Sequence, residues 1–384
     1  MFRLRAAFLM LALAAAVATT GAAPIDPTRD DEVVETLPAT GSRSQERRWR
    51  RELAQHPADA ALAVRVARHY LVQARVHGDP RFAGLAAAAL RPWPDPDAAP
   101  PEVALLHATL QQHQHEFEAS ATTLERLVAR DPRHAQAWLT LATVRRVQGR
   151  YGASDTACRG LSRAGAEMHA GACLAENDGL RGRFDAARAR LTALAASPRV
   201  DDGTRGWLLT TLAELEERAG NAKASGEHWR AALARDPSPY TTAAYADFLI
   251  AQSRGAEALP VLDRVPRSDA IVLRLAIAAA QTGSPARDAG AREMRERIAL
   301  ANQRPGAQTL HAREQAMFAL WVDRDARRAL TLARLNVSQQ REPIDLLLLA
   351  KAARAAGDTQ ALREVDALRR EVGLVDTRLD ALTM

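Results

Sequence analysis

The stretch DPRHAQAWLTLATVRRVQGRY, residues 131–151, decides the fold. A Pro-containing turn precedes a run with helical spacing, and a glycine turn separates that run from the next one. The pattern recurs along the chain, and alignment of its turn residue gives Gly149, Gly182, Gly220, Ser253, Gly283, Arg324 and Gly357. The intervals are 33, 38, 33, 30, 41 and 33 residues. A period of about 34 residues predicts an array of helical hairpins.

A second repeated feature is a small residue at a fixed phase of each first helix. It is found at Ala142, Ala175, Ala213 and Ala246. The two helices of a hairpin cross there, and a large side chain would force the backbones apart. A single amphipathic helix needs no such residue. The column therefore predicts packed helix pairs whose apolar faces are buried by stacking on the neighbouring pairs.

The chain resembles the tetratricopeptide repeat (TPR) family from about Pro101 to Leu368. The best-matching unit has these residues in family positions: Trp138, Leu141, Ala142, Gly149, Tyr151 and Ser154. The resemblance implies an all-α fold, a right-handed superhelical solenoid of antiparallel helix pairs. It also implies a helical repeat scaffold that binds a protein or peptide partner in its concave groove.

A candidate partner-binding groove follows from carrying over the family's inward-facing positions on each first helix. It comprises Gln136, Leu139, Thr143, Arg146, Trp207, Thr210, Glu214, Tyr240, Asp247, His311, Phe318 and Trp321. Aromatic side chains beside polar ones suit a protein-binding surface. An alternative stays open, in which Trp207, Phe318 and Trp321 are packing residues. The basic pairs with which chaperone-binding members grip a terminal carboxylate are not recognisable, so that activity is not transferred.

The N-terminus resembles a secretory signal peptide. Arg3 and Arg5 precede an apolar run from Ala6 to Ala18, which is shorter than the ~20 residues that a membrane-spanning helix needs. We therefore expect an exported, periplasmic or secreted protein without a stable membrane span after cleavage; a retained anchor is the weaker interpretation. The predicted segments are a signal peptide (1–22), a flexible linker (23–45), a divergent N-terminal helical pair (46–91), a Pro-rich connector (92–100), the repeat array (101–375) and a C-terminal tail (376–384).

The charge pattern limits the classes of partner. The formal net charge is +6, and arginines alternate with acidic residues along the predicted helices, as on solvated helix faces. A nucleic-acid partner is not expected, because a basic stripe with interleaved aromatic residues is missing from the sequence. The mild basic balance leaves one alternative function open, a polysaccharide- or anion-binding scaffold of the cell envelope.

No sequence motif indicates catalysis. Neither a nucleophile elbow nor a phosphate-binding glycine loop occurs, so neither an enzyme nor a cofactor is predicted. The nearest approach to a metal cluster is His107, His113, His115 and Glu116. His113 and His115 flank an expected interhelix turn and should point into water, so no metal site is predicted.

The two cysteines, Cys158 and Cys173, fall on the second helix of one unit and the first helix of the next. These helices pack together in the predicted architecture, and export would expose the chain to an oxidising compartment. A disulfide requires Cα atoms within about 7 Å of each other. Two buried, reduced thiols are the alternative.

Overall fold

The computed structural model describes residues 41–284, 287–303 and 307–383. The chain divides into two compact units, Met1–Arg51 and Glu52–Met384. The predicted signal peptide and most of the predicted linker lie outside the described residues. Helix α1 (Gly41–Gln55) begins inside the segment predicted as linker.

The second unit consists of consecutive antiparallel helix pairs, and no strand occurs in the described residues. The first three pairs are α2 (Ala60–His77) with α3 (Pro80–Leu90), α4 (Pro101–His113) with α5 (Phe117–Arg130), and α6 (Ala135–Val147) with α7 (Tyr151–Arg163). The next three are α8 (Glu167–Leu180) with α9 (Phe184–Ala196), α10 (Asp202–Arg218) with α11 (Ala222–Arg235), and α12 (Pro239–Ala251) with α13 (Gly255–Leu262). The all-α fold predicted from the sequence is confirmed.

The remaining helices continue the same arrangement. They are α14 (Asp269–Thr282) with α15 (Arg287–Ala301), a short α16 (Ala307–Leu310), α17 (Ala312–Phe318) with α18 (Ala326–Val337), α19 (Pro343–Ala356) with α20 (Thr359–Val372), and α21 (Thr377–Thr383). The segment predicted as a C-terminal tail thus contains a helix. Proline begins several of the first helices, where its fixed φ favours the helical start.

The turn between the two helices of each pair is left-handed. All seven aligned turn residues have φ between 57° and 83°, including Ser253 and Arg324. Left-handed backbone is unfavourable for residues with a Cβ, so the position in the repeat imposes on Ser253 and Arg324 a conformation that residue type alone does not favour. In the unit formed by α4 and α5, His115 supplies this turn with φ of 61°. The sequence predicted that His113 and His115 flank this turn, and the structure places His115 in it.

The alanine column marks the closest approach of paired helices. Ala142, Ala175, Ala213 and Ala246 are all fully buried. In the pair of α6 and α7 a serine hydroxyl also binds across the pair: Ser154 donates a 2.9 Å hydrogen bond to the carbonyl of Ala142. Small side chains on both helices bring the backbones close enough for this bond. At Ala142 this contact agrees with the predicted crossing point.

Helix α17 continues through a π-helical turn, Ala319–Asp323. A π turn contains one more residue than an α-helical turn, so positions counted back from Arg324 are rotated around the helix axis. Phe318 is only 2% exposed and lies in the apolar core, with the Arg295 guanidinium 5.6 Å from its ring centroid. The structure therefore places Phe318 among the packing residues, which is the alternative that the sequence left open beside a groove position.

After α20 the chain crosses the turns of earlier units. We call residues 372–378 the crossing segment. The Val375 amide donates a 2.9 Å hydrogen bond to the Leu180 carbonyl, and the Thr377 hydroxyl donates a 3.0 Å hydrogen bond to the Arg218 carbonyl. The end of the array is thereby held against the units that contain α8 and α10.

Three consecutive turn glycines lie directly beneath the crossing segment. A Cβ atom on Gly149 would lie 2.5 Å from Val372 Cγ1, and one on Gly182 would lie 3.0 Å from Val375. A Cβ on Gly220 would lie 3.1 Å from the Thr377 hydroxyl. These glycines are required both for the left-handed turn and for close approach of a distant part of the chain.

Candidate functional site on the inner face of the array

The first helices of the pairs carry most of the predicted groove, and the structure brings several of its members together. The Tyr240 hydroxyl, at the start of α12, donates a 2.6 Å hydrogen bond to Glu214 on α10. The negative charge of Glu214 raises the pKa of Tyr240 well above its usual value. Arg146 on α6 interacts electrostatically with Glu214. We call the surface formed by Arg146, Glu214 and Tyr240 the inner face.

Two further charged residues of the inner face were missed by the sequence analysis. Arg313 lies 2.6 Å from Glu342 and 2.7 Å from Asp345. Both Arg313 and Glu342 influence the pKa of Tyr240. Glu342 immediately precedes α19 and is not part of a helix. The family positions carried over to this chain all lie on first helices, so they do not include Glu342. No signal in the sequence pairs these residues with α10 and α12.

Burial shifts the pKa values of charged groups on this face. Arg146 forms an ion pair with Glu176, and burial lowers its pKa to about 10, while Glu342 and Glu214 oppose that shift. Burial also raises the pKa of Glu214. The charges of Arg146 and Glu214 attract each other, and this attraction opposes the effect of burial on both pKa values. The inner face is thus a mixed network rather than a patch of one sign.

Other predicted groove residues differ widely in exposure. Tyr240 is 64% exposed, whereas Thr210 is only 4% exposed. Trp207 is partly buried, and its ring stacks on His169 with centroids 6.0 Å apart. On α6, Gln136 is exposed, and Leu139 and Thr143 are partly buried. His311, before α17, is also partly buried. Tyr240 and Trp207 are the aromatic side chains of the predicted groove on α12 and α10.

A separate cavity of about 610 Å³ lies among α12, α14, the π turn and α19. Two predicted groove residues, Asp247 and Trp321, are among its lining residues. Its apolar lining is formed mainly by Ile250, Ile277, Met317, Leu320, Ile344, Leu347 and Leu348. Asp247 accepts a 2.6 Å hydrogen bond from Arg274. The cavity combines an apolar wall with a charged edge, which is typical of small-molecule sites.

Histidine and acidic side chains form no metal centre in the parts of the chain that the structure covers, where no three possible ligands converge. Burial lowers the pKa of His113 and His115, and His115 stacks on Phe117 with centroids 5.3 Å apart. These contacts give His115 a packing role at its turn.

The structure joins Cys158 on α7 and Cys173 on α8 in a disulfide, with Cα atoms 5.8 Å apart. The separation is inside the expected limit of about 7 Å. Both residues are fully buried between the two helices. The bridge links consecutive units of the array.

None of the helices in the described ranges is long and apolar enough to cross a membrane.

Comparison with known proteins adds little to these observations. No family model matches the sequence, and no curated protein gives a significant match. Among solved structures, the chain is similar to a crystal structure of the TPR domain of P58(IPK), with 14% sequence identity and a TM-score of 0.26. That alignment covers 85% of this chain and 97% of the other. A likeness this weak carries no argument, so the fold rests on the helix pairs and turn residues described above.

Proposed function

We propose that this protein is a non-catalytic, exported scaffold of the cell envelope that holds a segment of a partner protein on its inner face. Tyr240 is the observation that supports this most strongly. Its side chain is 64% exposed, while its hydroxyl is tethered to Glu214 at 2.6 Å. The ring is therefore held in place with its faces accessible. Rigid, accessible aromatic side chains are typical anchors of protein interfaces.

The surroundings of Tyr240 favour a partner segment with both apolar and polar groups. Trp207 lies two helical turns before Glu214 on α10, so aromatic surface lies on both sides of the carboxylate. Arg146 and Arg313 supply positive charge nearby. A partner segment could pack an apolar side chain against Tyr240 and direct polar groups to the charged network.

Export is supported by two independent features. The sequence of residues 1–22 resembles a signal peptide, and the disulfide between Cys158 and Cys173 suits an oxidising compartment. A polysaccharide- or anion-binding scaffold receives less support, because many arginines are already paired with carboxylates. Arg188 with Glu216 and Arg334 with Glu364 are examples.

Affinity capture from envelope extracts tests this proposal. We expect the wild-type chain to recover a partner that Tyr240→Ala fails to recover, and Tyr240→Phe to recover an intermediate amount because it keeps the ring but loses the Glu214 tether. Leu300→Ala is the matched control, since Leu300 is 62% exposed on α15. Equal recovery by all four forms would exclude the inner face as the binding surface. Capture lost only on raising salt, without any effect of Tyr240→Ala, would favour the anion-binding alternative.

A further inference from the structure

We propose that the cavity among α12, α14, the π turn and α19 binds an aliphatic monocarboxylate, with the carboxylate paired to Lys351. The cavity volume, about 610 Å³, lies in the range of small-molecule sites. Lys351 and Trp321 line the same cavity, with the Lys351 Nζ 5.6 Å from the Trp321 ring centroid. The lining of this cavity does not include Arg146, Glu214 or Tyr240, and a ligand there is a different claim about function from a partner on the inner face.

Lys351 is unusual in this chain. Of the 52 lysine and arginine residues, only Lys223 and Lys351 are lysines. Lys223 is exposed on α11, whereas Lys351 is partly buried on α19. Burial lowers the pKa of Lys351. A buried ammonium is costly unless an acceptor compensates it.

No hydrogen-bond or ion-pair partner of Lys351 is found within the described ranges, where its recorded contact is the Trp321 ring. The nearby carboxylates are already bound to other donors. Asp247 accepts from Arg274 at 2.6 Å, and Glu217 accepts from Arg378 at 2.7 Å. The ammonium therefore faces the cavity without a dedicated anion, and a ligand carboxylate would supply one.

The rest of the cavity fits an aliphatic body. Ile250, Ile277, Met317, Leu320 and Leu347 provide apolar surface from five different elements. Each methylene group that leaves water for such a surface contributes about fourfold in affinity. A chain of several methylene groups with one terminal carboxylate matches both the apolar lining and the unpaired ammonium.

The crossing segment favours a small molecule over an extended peptide. Glu217 and Arg378 line the cavity and are ion-paired with each other. This pair forms one wall, where the end of the chain meets α10. A ligand that continued past this wall would have to displace a hydrogen-bonded ion pair, whereas a short aliphatic acid would not.

Calorimetric titration of the full-length protein with decanoate and with decan-1-ol tests the proposal. We expect decanoate to bind at least tenfold more tightly than decan-1-ol to the wild-type and Lys223→Met proteins. Lys351→Met keeps the length of the side chain but removes its charge, and should abolish the preference while retaining binding of the alcohol. No preference in the wild type, or an unchanged preference in Lys351→Met, would overturn the proposal. Binding of an N-acetylated leucine tripeptide without binding of decanoate would also overturn it.

A labelling experiment on the wild-type chain covers the case in which Lys351→Met does not fold. Because the chain has two lysines, mass spectrometry after treatment with an amine-acylating reagent reports each one separately. Decanoate should slow acylation of Lys351 at least fivefold and leave Lys223 unchanged, and decan-1-ol should have a much smaller effect. Equal rates at Lys351 with and without decanoate would contradict carboxylate binding at this ammonium.

Discussion

The Arg378 guanidinium lies 2.7 Å from the Glu217 carboxylate, although 161 residues separate them in the chain. The same guanidinium binds Asp376, which is fully buried. Burial alone would lower the pKa of Arg378, but its interactions with Asp376 and Glu217 raise the pKa above the usual value. The last helix is thus held to α10, and the crossing segment is an integral part of the array.

Replacement of Arg378 should destabilise the protein. Arg378→Met removes hydrogen bonds to Glu217 and leaves the buried Asp376 carboxylate without its cation. Because hydrogen bonds to charged groups contribute about 1.5–3 kcal/mol, we expect a loss of about 2 kcal/mol in the free energy of unfolding, measured in urea. Arg370→Met is the control: its side chain is 72% exposed in a surface pair with Asp366 and should cost less than about 0.5 kcal/mol. Equal effects of the two substitutions would argue against a fixed crossing segment.

A pair of alanine substitutions separates backbone strain from packing. Gly149 and Gly357 have φ of 73° and 67°, so an alanine at either position carries a similar strain of about 1 kcal/mol. Only at Gly149 would the new Cβ meet Val372, at 2.5 Å, since nothing lies within 4 Å at Gly357. We therefore expect Gly149→Ala to cost about 1–3 kcal/mol more than Gly357→Ala in urea denaturation. Indistinguishable costs would mean that the crossing segment does not contact Gly149 in solution.

Reduction of the disulfide should lower stability. Cys158 and Cys173 close a loop of 15 residues, and such a loop contributes about 3 kcal/mol by restricting the unfolded chain. We expect the midpoint of urea unfolding to fall when a reductant is added. The double variant Cys158→Ala/Cys173→Ala should show no response to the reductant. A wild-type midpoint that is insensitive to reductant would indicate that the bridge is not formed.

The stability of the fold should depend on the protonation of His107. Burial lowers the pKa of His107 in the folded chain, so the unfolded chain takes up the proton at higher pH. The free energy of unfolding therefore decreases as the pH falls below about 6.5. Allowing for solvent screening of a partly exposed ring, we expect His107→Gln to reduce this loss between pH 7.5 and 5.5 by about 0.5 kcal/mol. His56→Gln, at an exposed position, should change it less.

The local features of the fold could be predicted from the sequence. The turn register placed Ser253 and Arg324 at turns between paired helices, although neither is glycine. The alanine column gave the crossing points of the helices. Both the turn and the alanine column depend on contacts within one hairpin. Because the same contacts recur in every unit, the same residue types recur in the sequence. His115 was missed because this unit has no glycine at its turn, and positive φ is uncommon for other residues.

The long-range features could not be predicted in this way. The contact of Val375 with Leu180 joins an irregular segment to a turn, and no periodic pattern encodes it. The sequence left both a groove and a packing role open for Phe318, because the π turn changes the register within one helix and no pattern announces it. The part of the candidate site formed by Arg146, Glu214 and Tyr240 was predicted residue by residue, whereas Arg313 and Glu342 join it through tertiary packing.

Site-specific photocrosslinking in cells tests the proposed scaffold most directly. A photoreactive phenylalanine derivative at position 240 keeps an aromatic side chain on the inner face, and the same derivative at Glu227 labels an exposed site on α11. If the inner face holds a partner segment, illumination should give a discrete crosslinked protein at position 240 and none at position 227. The absence of any crosslinked partner at position 240, or the same products at both positions, would contradict a partner-binding role for the inner face.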